Sequence, residues 1–117
     1  MSEAQYLRAR KVIDRRIRLR GMRALLRRAS GDRECWVLEA QLTAAEKRAL
    51  KNPTHHIFSV SPIGVTVPPS KEDSLVTFVQ PESVPPVEDA TYRQVAPVDP
   101  FQPGGIVVFW ELQVEKV

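Results

Sequence analysis

Cysteine is almost missing from this chain, since Cys35 is the only one in 117 residues. With no second thiol there is no internal disulfide. Cys35 sits in the apolar run Cys35-Trp36-Val37-Leu38, which reads as a buried, inert thiol in a reducing compartment. Histidine is scarce as well. His55 and His56 are sequence neighbours, which on a strand point to opposite faces and do not share one ion. Two His and one Cys make no zinc set of the usual composition, so neither a metal nor a cofactor is expected. The longest apolar run is about five residues, too short to span a membrane, and the N-terminal stretch lacks the apolar core of a signal peptide. No Gly-rich phosphate loop, Ser/His/Asp order or Cys/His pair occurs. The carboxylate pairs Glu72-Asp73 and Glu88-Asp89 fall in polar turns, where solvent leaves them as ordinary surface acids. The expectation is therefore a protein that is not an enzyme. Trp36, Phe58, Phe78, Phe101, Phe109 and Trp110 are scattered over strand-like stretches and read as core, because the paired aromatic motif of RNA-binding sheets is missing.

Proline and charge are what the chain has in plenty. Nine of its ten prolines fall between Pro62 and Pro103, a pattern of short extended segments joined by rigid turns. The last of these segments, Ile106 to Val114, is apolar at every second residue: Ile106, Val108, Trp110, Leu112 and Val114. That is the signature of a strand with one buried face, launched by the turn Pro103-Gly104-Gly105, and the shorter strands are expected to pair against it. Charge is split along the chain. Residues 1–29 hold ten Lys/Arg against Glu3 and Asp14, a net +8, and the rest hold seven against twelve acids, a net −5. A basic arm on an acidic body points to an anionic partner, either nucleic acid or the acidic surface of a protein.

The arm is a helix. Ser2-x-x-Gln5 is a capping box, and Tyr6, Ala9, Ile13 and Ile17 recur at helical spacing as one apolar stripe. Arg8, Lys11, Arg15 and Arg18 form a second stripe on the opposite side, flanked by Arg10, Arg16 and Arg20. Gly21 is placed as the left-handed residue that ends the helix, so the spacing predicts a helix over 3–20. Arg forks suit carboxylates and phosphates better than they suit bare solvent. Next, 22–28 and 34–42 read as a hairpin about Ser30-Gly31-Asp32. Thr43-Ala-Ala-Glu46 caps a short helix, 44–51, stopped by Asn52-Pro53. Strands follow at 55–61, 75–80 and 92–96, with a brief extended piece at 63–67. Lys71-Glu72-Asp73 reads as a solvated turn, and 81–90, holding Glu82, Glu88 and Asp89, as an exposed, stiff, acidic loop. Together these predict a mainly β chain, a small barrel or sandwich with an N-terminal basic helix and one short internal helix. The arm covers 1–21 and the β-domain 22–117, with Pro-rich loops at about 62–74 and 81–105.

The order of short signatures carries a resemblance. Leu26-Arg27-Arg28 precedes Glu34-Cys35-Trp36-Val37. After the capped helix come Phe58-Ser59-Val60-Ser61-Pro62 and Leu75-Val76-Thr77-Phe78. Then come Pro85-Pro86-Val87-Glu88-Asp89, Arg93-Gln94-Val95-Ala96-Pro97 and the closing Pro103-to-Val114 stretch. From about residue 22 onward the chain resembles the small head-closure proteins (stoppers, or head–tail joining proteins) of tailed bacteriophages and phage-like gene-transfer particles. The resemblance implies a homo-oligomeric ring in the particle neck, assembled in the bacterial cytoplasm. The ring would sit between the portal and its adaptor on one side and the tail terminator or tail tube on the other. It would retain packaged double-stranded DNA and let it pass on ejection. No catalytic residue is carried over. A channel or tail-facing loop is expected at 62–74 (Lys71, Glu72, Asp73) or 81–91 (Glu82, Glu88, Asp89). The helix, through Arg8, Lys11, Arg15, Arg18, Arg10 and Arg16, is expected to contact a partner, a subunit or DNA. The alternatives are a nucleic-acid-binding module built on that helix, or another neck tier.

Overall fold

The computed structural model describes residues 2–50, 54–65, 67–80, 84 and 87–117. It is mainly β: helix α1 (Glu3–Arg20), strands β1 (Met22–Arg27) and β2 (Arg33–Glu39), helix α2 (Ala44–Ala49), then β3 (His56–Val60), β4 (Ser74–Gln80), β5 (Val87–Gln94), β6 (Asp99–Phe101) and β7 (Phe109–Lys116). Six strands close into a barrel in the order β3-β2-β1-β4-β5-β7, because β7 pairs back onto β3, and every pairing is antiparallel. Closure leaves no free edge within that ring. The final strand is the one shared most widely. It pairs with β3 along one edge, while β5 and then β6 follow each other along the other: Gln94 stands opposite Val114, and Asp99 opposite Glu111.

Register explains the interior. Val37 faces Val60 and Val60 faces Trp110, Phe58 faces Leu112, Leu26 faces Leu75, and Ala24 faces both Cys35 and Thr77. These residues share one side of the pleat in every strand, and all are buried. A one-residue slip in any strand would turn its apolar set outward, so the register is fixed by burial. The alternation in the last stretch holds: Val108, Trp110, Leu112 and Val114 are all buried. The strand itself starts three residues later than expected. The backbone N–H of Val108 donates to Phe101 O (2.8 Å), and the regular ladder begins only at Phe109.

α1 spans the range its sequence predicts. The Gln5 N–H donates to Ser2 Oγ (3.4 Å) and the Ser2 N–H to Gln5 Oε1 (2.9 Å), the reciprocal pair of a capping box. The helix lies against β1, β2, β7 and a single 3₁₀ turn at Pro103–Gly105. Ile17 is its one buried residue, 1% exposed, and truncating such a side chain to Ala costs about 2–5 kcal/mol. Gly21 ends the helix for a reason other than the expected one. Its backbone is extended (φ −97°, ψ −151°), not left-handed. A Cβ there would stand 1.9 Å from the backbone oxygen of Val37, so glycine is required by close approach.

Four further expectations are corrected. In the stretch expected to be extended at 63–67, Ile63 and Gly64 form a turn and not a strand, with Gly64 at φ +89° and Val65 tucked into the core, while residue 66 lies outside the described residues. The proposed 81–90 loop is strand from Val87 onward, because Glu88 pairs with Phe78 of β4. β6 lies within what reads as loop, Pro100 being tolerated on a short outer strand. The 44–51 helix ends at Ala49, and its expected stop, Asn52-Pro53, lies outside the described residues.

Candidate interaction surfaces

The six basic residues singled out on α1 do not form one surface. Arg8, Lys11, Arg15 and Arg16 are exposed, with no acidic partner among the described residues. Arg18 is committed to the fold. Its Nε donates to both carboxylate oxygens of Asp14 (3.0 Å each), and its guanidinium lies over the Trp36 ring, 5.3 Å from the centroid. Asp14 in turn accepts from Ser61 Oγ at 2.5 Å, tying the helix to the end of β3. Arg10 turns inward and is half-buried, with an Nε that is buried and unpartnered among the described residues.

The outward face holds more than charge. Arg8, Val12, Arg15 and Leu19 follow one another at spacings of four, three and four, which puts them on one line of the helix. Val12 is 51% exposed and Leu19 78% exposed. A shallow groove of about 320 Å³ lies beside Val12, lined by Gln5, Arg8, Ala9, Val12 and Ile13. The apolar stripe read from sequence, Tyr6 to Ile17, faces the barrel and drew attention from this second one. The signal was there: Val12 and Leu19 are aliphatics seven apart on the basic side.

The acidic residues divide as well. Lys71 and Glu72 are exposed, but Asp73 is not part of a solvated turn. Asp73 and Arg28 are buried together, each side chain 6% exposed, with Arg28 Nε 2.9 Å from Asp73 Oδ2. The same carboxylate accepts from the Ser70 N–H (2.9 Å) and Ser70 Oγ (3.2 Å), Arg28 Nη2 donates to Val67 O (2.8 Å), and Gln94 Nε2 donates to the backbone oxygens of Ser70 and Asp73. A guanidinium held at the end of β1 needs a counter-charge, and the 62–74 connection supplies it. That connection is pinned at Val65 and Asp73. Asp73 is thus removed from the channel-facing candidates. Glu88 and Asp89 are exposed on β5, Glu88 2.5 Å from Arg27 Nη2, a half-exposed pair of small energetic weight. Hydrogen bonding to Glu88 raises the pKa of Arg27. Glu82 lies outside the described residues.

Several titratable groups elsewhere are buried or held in pairs, His56 with Glu39 and both His55 and Arg93 with Glu115. Burial pushes the Cys35 thiol up to about 12, which removes the thiolate that nucleophilic chemistry needs. Tyr92 is also raised, by burial first and then by Glu39 and Asp89. His55 and His56 face apart as expected: His56 lies against Phe58 and Tyr92, whereas His55 meets Gln113 and Glu115 on the other face of β7. Both line a cleft of about 500 Å³ beside α2, where His56 Nδ1 meets Glu39 at 2.5 Å and His55 Nδ1 meets Gln113 Nε2 at 3.1 Å. Among the described residues no group of three or more His, Cys, Asp or Glu is placed to hold a metal, and no helix is long and apolar enough to cross a membrane. Of the aromatics assigned to the core, Phe58 and Trp110 belong there. Phe101 is 52% exposed and stacks on Phe109 at 5.2 Å. No protein-family model, curated protein or solved structure matches the chain.

Proposed function

We propose that the chain is a structural head-closure (stopper) subunit of a tailed phage or phage-like particle. It would act as one copy in a ring between portal or adaptor and tail, retaining packaged DNA and letting it pass on ejection. The observation that carries this reading is the pairing of a rigid, closed barrel with a helix whose outward face is unpartnered. Ring subunits need a body that does not deform and an arm that reaches a neighbour. The order of signatures from Leu26 to Val114 supplies the particular family, and an adaptor or tail terminator would use the same logic one tier away. The test is electron microscopy of particles made without this gene. Packaged or leaking heads alongside free, complete tails are expected, and normal tailed particles would refute the proposal.

A second reading is a nucleic-acid-binding module. It is favoured by Arg8, Lys11, Arg15 and Arg16, four exposed cations on one helix without acidic partners among the described residues. If four phosphates are neutralised, log affinity for duplex DNA falls with log salt at a slope of about −3.6. A slope near zero, or no binding at low salt, removes this reading. The bare Val12 and Leu19 among those cations have no use against a phosphate backbone, which places it second.

A further inference from the structure

We infer that the outward face of α1 docks on the β6–β7 face of a second copy of this chain, around Phe101 and Glu111, joining copies head to tail. The inference deepens the ring reading and rests on it for the choice of a second copy as partner.

β6 and β7 build one outward patch. Asp99 stands opposite Glu111 and Phe101 opposite Phe109, and residues two apart or directly opposite share a face of a sheet. That face points away from the core, because Trp110, Leu112 and Val114 hold the inner one. Two of its features are unfavourable in an isolated chain. Like charges directly opposite each other repel, yet neither Asp99 nor Glu111 has a cationic partner among the described residues. Beside them the Phe101–Phe109 stack leaves Phe101 half in solvent. A depression of about 110 Å³ lies between the acids and the rings, and it shares Asp99 and Glu111 with a larger one of about 360 Å³.

α1 offers the complement. Along its outward line Arg8 and Arg15 alternate with the bare aliphatics Val12 and Leu19, and neither arginine has an acidic partner among the described residues. The spacings agree. Each arginine precedes its aliphatic neighbour by four residues, about 6 Å along a helix, and the acid pair is two residues from the ring pair, about 7 Å along a strand. One guanidinium therefore meets Asp99 and Glu111 together while the aliphatic side chain lies on the rings. Charge-assisted hydrogen bonds remove the repulsion between the two carboxylates, and the ring contact takes apolar area from water on both sides. Within one chain no ion pair or hydrogen bond joins the two surfaces among the described residues. A contact between two different patches is heterologous, so it repeats from copy to copy and closes into a ring where the rotation allows. Patch on patch would set acid against acid, and helix on helix arginine against arginine. A nucleic acid would satisfy the arginines and leave Val12 and Leu19 bare.

The test places the photo-reactive aromatic p-benzoylphenylalanine at position 101 of the full chain, which is mixed at low salt with ¹⁵N-labelled chain and irradiated. Mass spectrometry of the digested product separates attachment between copies from attachment within one. Position 101 is exposed on a short outer strand, so the fold is kept. The probe is expected to attach within residues 8–19 of the labelled copy. Arg8→Glu with Arg15→Glu in the labelled chain should lower that yield at least about tenfold. Asp99→Arg with Glu111→Arg in the probe chain should then restore it, which a misfolded variant would not allow. Attachment anywhere else on the labelled copy, its own 97–111 patch included, would overturn the proposal. No attachment between copies, or a yield indifferent to both charge reversals, would overturn it as well, and with steeply salt-dependent duplex binding would assign the helix to nucleic acid. Particle microscopy separates the two levels. Attachment to α1 with normal particles in the gene's absence keeps the interface and rejects the neck, and the reverse result keeps the neck and rejects this interface.

Discussion

Replacing Asp73 by Asn should destabilise the chain far more than its place in a polar Lys-Glu-Asp turn suggests. The substitution is nearly isosteric. The Asn oxygen can still accept from the Ser70 N–H and from Arg28 Nε, now held at Asp73 Oδ2 at 2.9 Å each. What is lost is the charge opposite a guanidinium that is 6% exposed. Removing one member of a buried pair strands the other, a loss of about 3–5 kcal/mol, whereas an exposed pair is worth at most about 1. Arg28 keeps its bond to Val67 O, which places the expectation near the lower figure, about 3 kcal/mol. Against a total of about 5–15 kcal/mol for a domain of this size, that lowers the melting temperature by roughly 10 °C or more. Urea denaturation of the wild type, Asp73→Asn, Arg28→Met and the double variant measures it. The double variant should recover most of the loss, since neither charge remains buried alone. Limited trypsinolysis after exposed Lys71 should quicken in Asp73→Asn, because the 67–73 backbone hangs on this pair. A loss below about 1 kcal/mol, or a double variant as poor as the sum of the singles, would refute the reasoning.

Three other outcomes are expected. Gly21→Ala should cost about 3 kcal/mol in thermal or urea melts, since the new methyl meets the backbone oxygens of Val37 and Ile17, neither of which is a flexible side chain; a neutral result would mean that α1 shifts freely. Cys35 should resist Ellman's reagent in the native state and react on unfolding. Its thiol pKa lies at about 12 folded against an ordinary value of 9.0, so the associated stability is full below pH 9 and is lost as pH rises towards 12. Between pH 8 and pH 10 the wild type should lose about 1.4 kcal/mol more than Cys35→Ala, and equal losses would count against that burial. Arg18→Ala should cost about 1 kcal/mol through Asp14 and Trp36, while Arg8→Ala should leave stability unchanged within about 0.5 kcal/mol; denaturant midpoints check both.

What could be read from sequence was whatever local chemistry decides. The cap at Ser2 and the stop at Gly21 bound α1 correctly, although the stop acts through crowding by Val37 and not through a left-handed turn. Alternation gave the buried face of β7, because a period of two is imposed by the strand itself. The first half of β5 was hidden and only its end was read, as a strand at 92–96, since Glu88 and Asp89 have poor strand propensity and their pairing with β4 overrides it. The Arg28–Asp73 pair joins residues 45 apart, and no spacing announces such a contact. Val12 and Leu19 were visible in the sequence, but only the packing of α1 shows that the barrel leaves them uncovered.

The fate of the arginines gives the basic arm its meaning. Arg23 pairs with Glu34, Arg27 with Glu88 and Arg28 with Asp73, so three of the ten cations in 1–29 are answered by acids of the body. Arg18 is answered within the helix by Asp14. The +8 of that segment is therefore not a diffuse charge that serves only solubility. After the fold has taken its share, Arg8, Lys11, Arg15, Arg16 and Arg20 remain exposed on α1 with no acidic partner among the described residues. Concentrating like charges on a single helix raises their mutual repulsion, a cost that solubility alone does not call for. Placing Val12 and Leu19 among them adds exposed apolar area that burial against the barrel would have removed. On the ring reading proposed above, both features would gain from one change, the arrival of a partner surface that is acidic and partly apolar. For that reason the proposed ring would use the outward line of α1 as a contact surface and not as the solvent side of a helix.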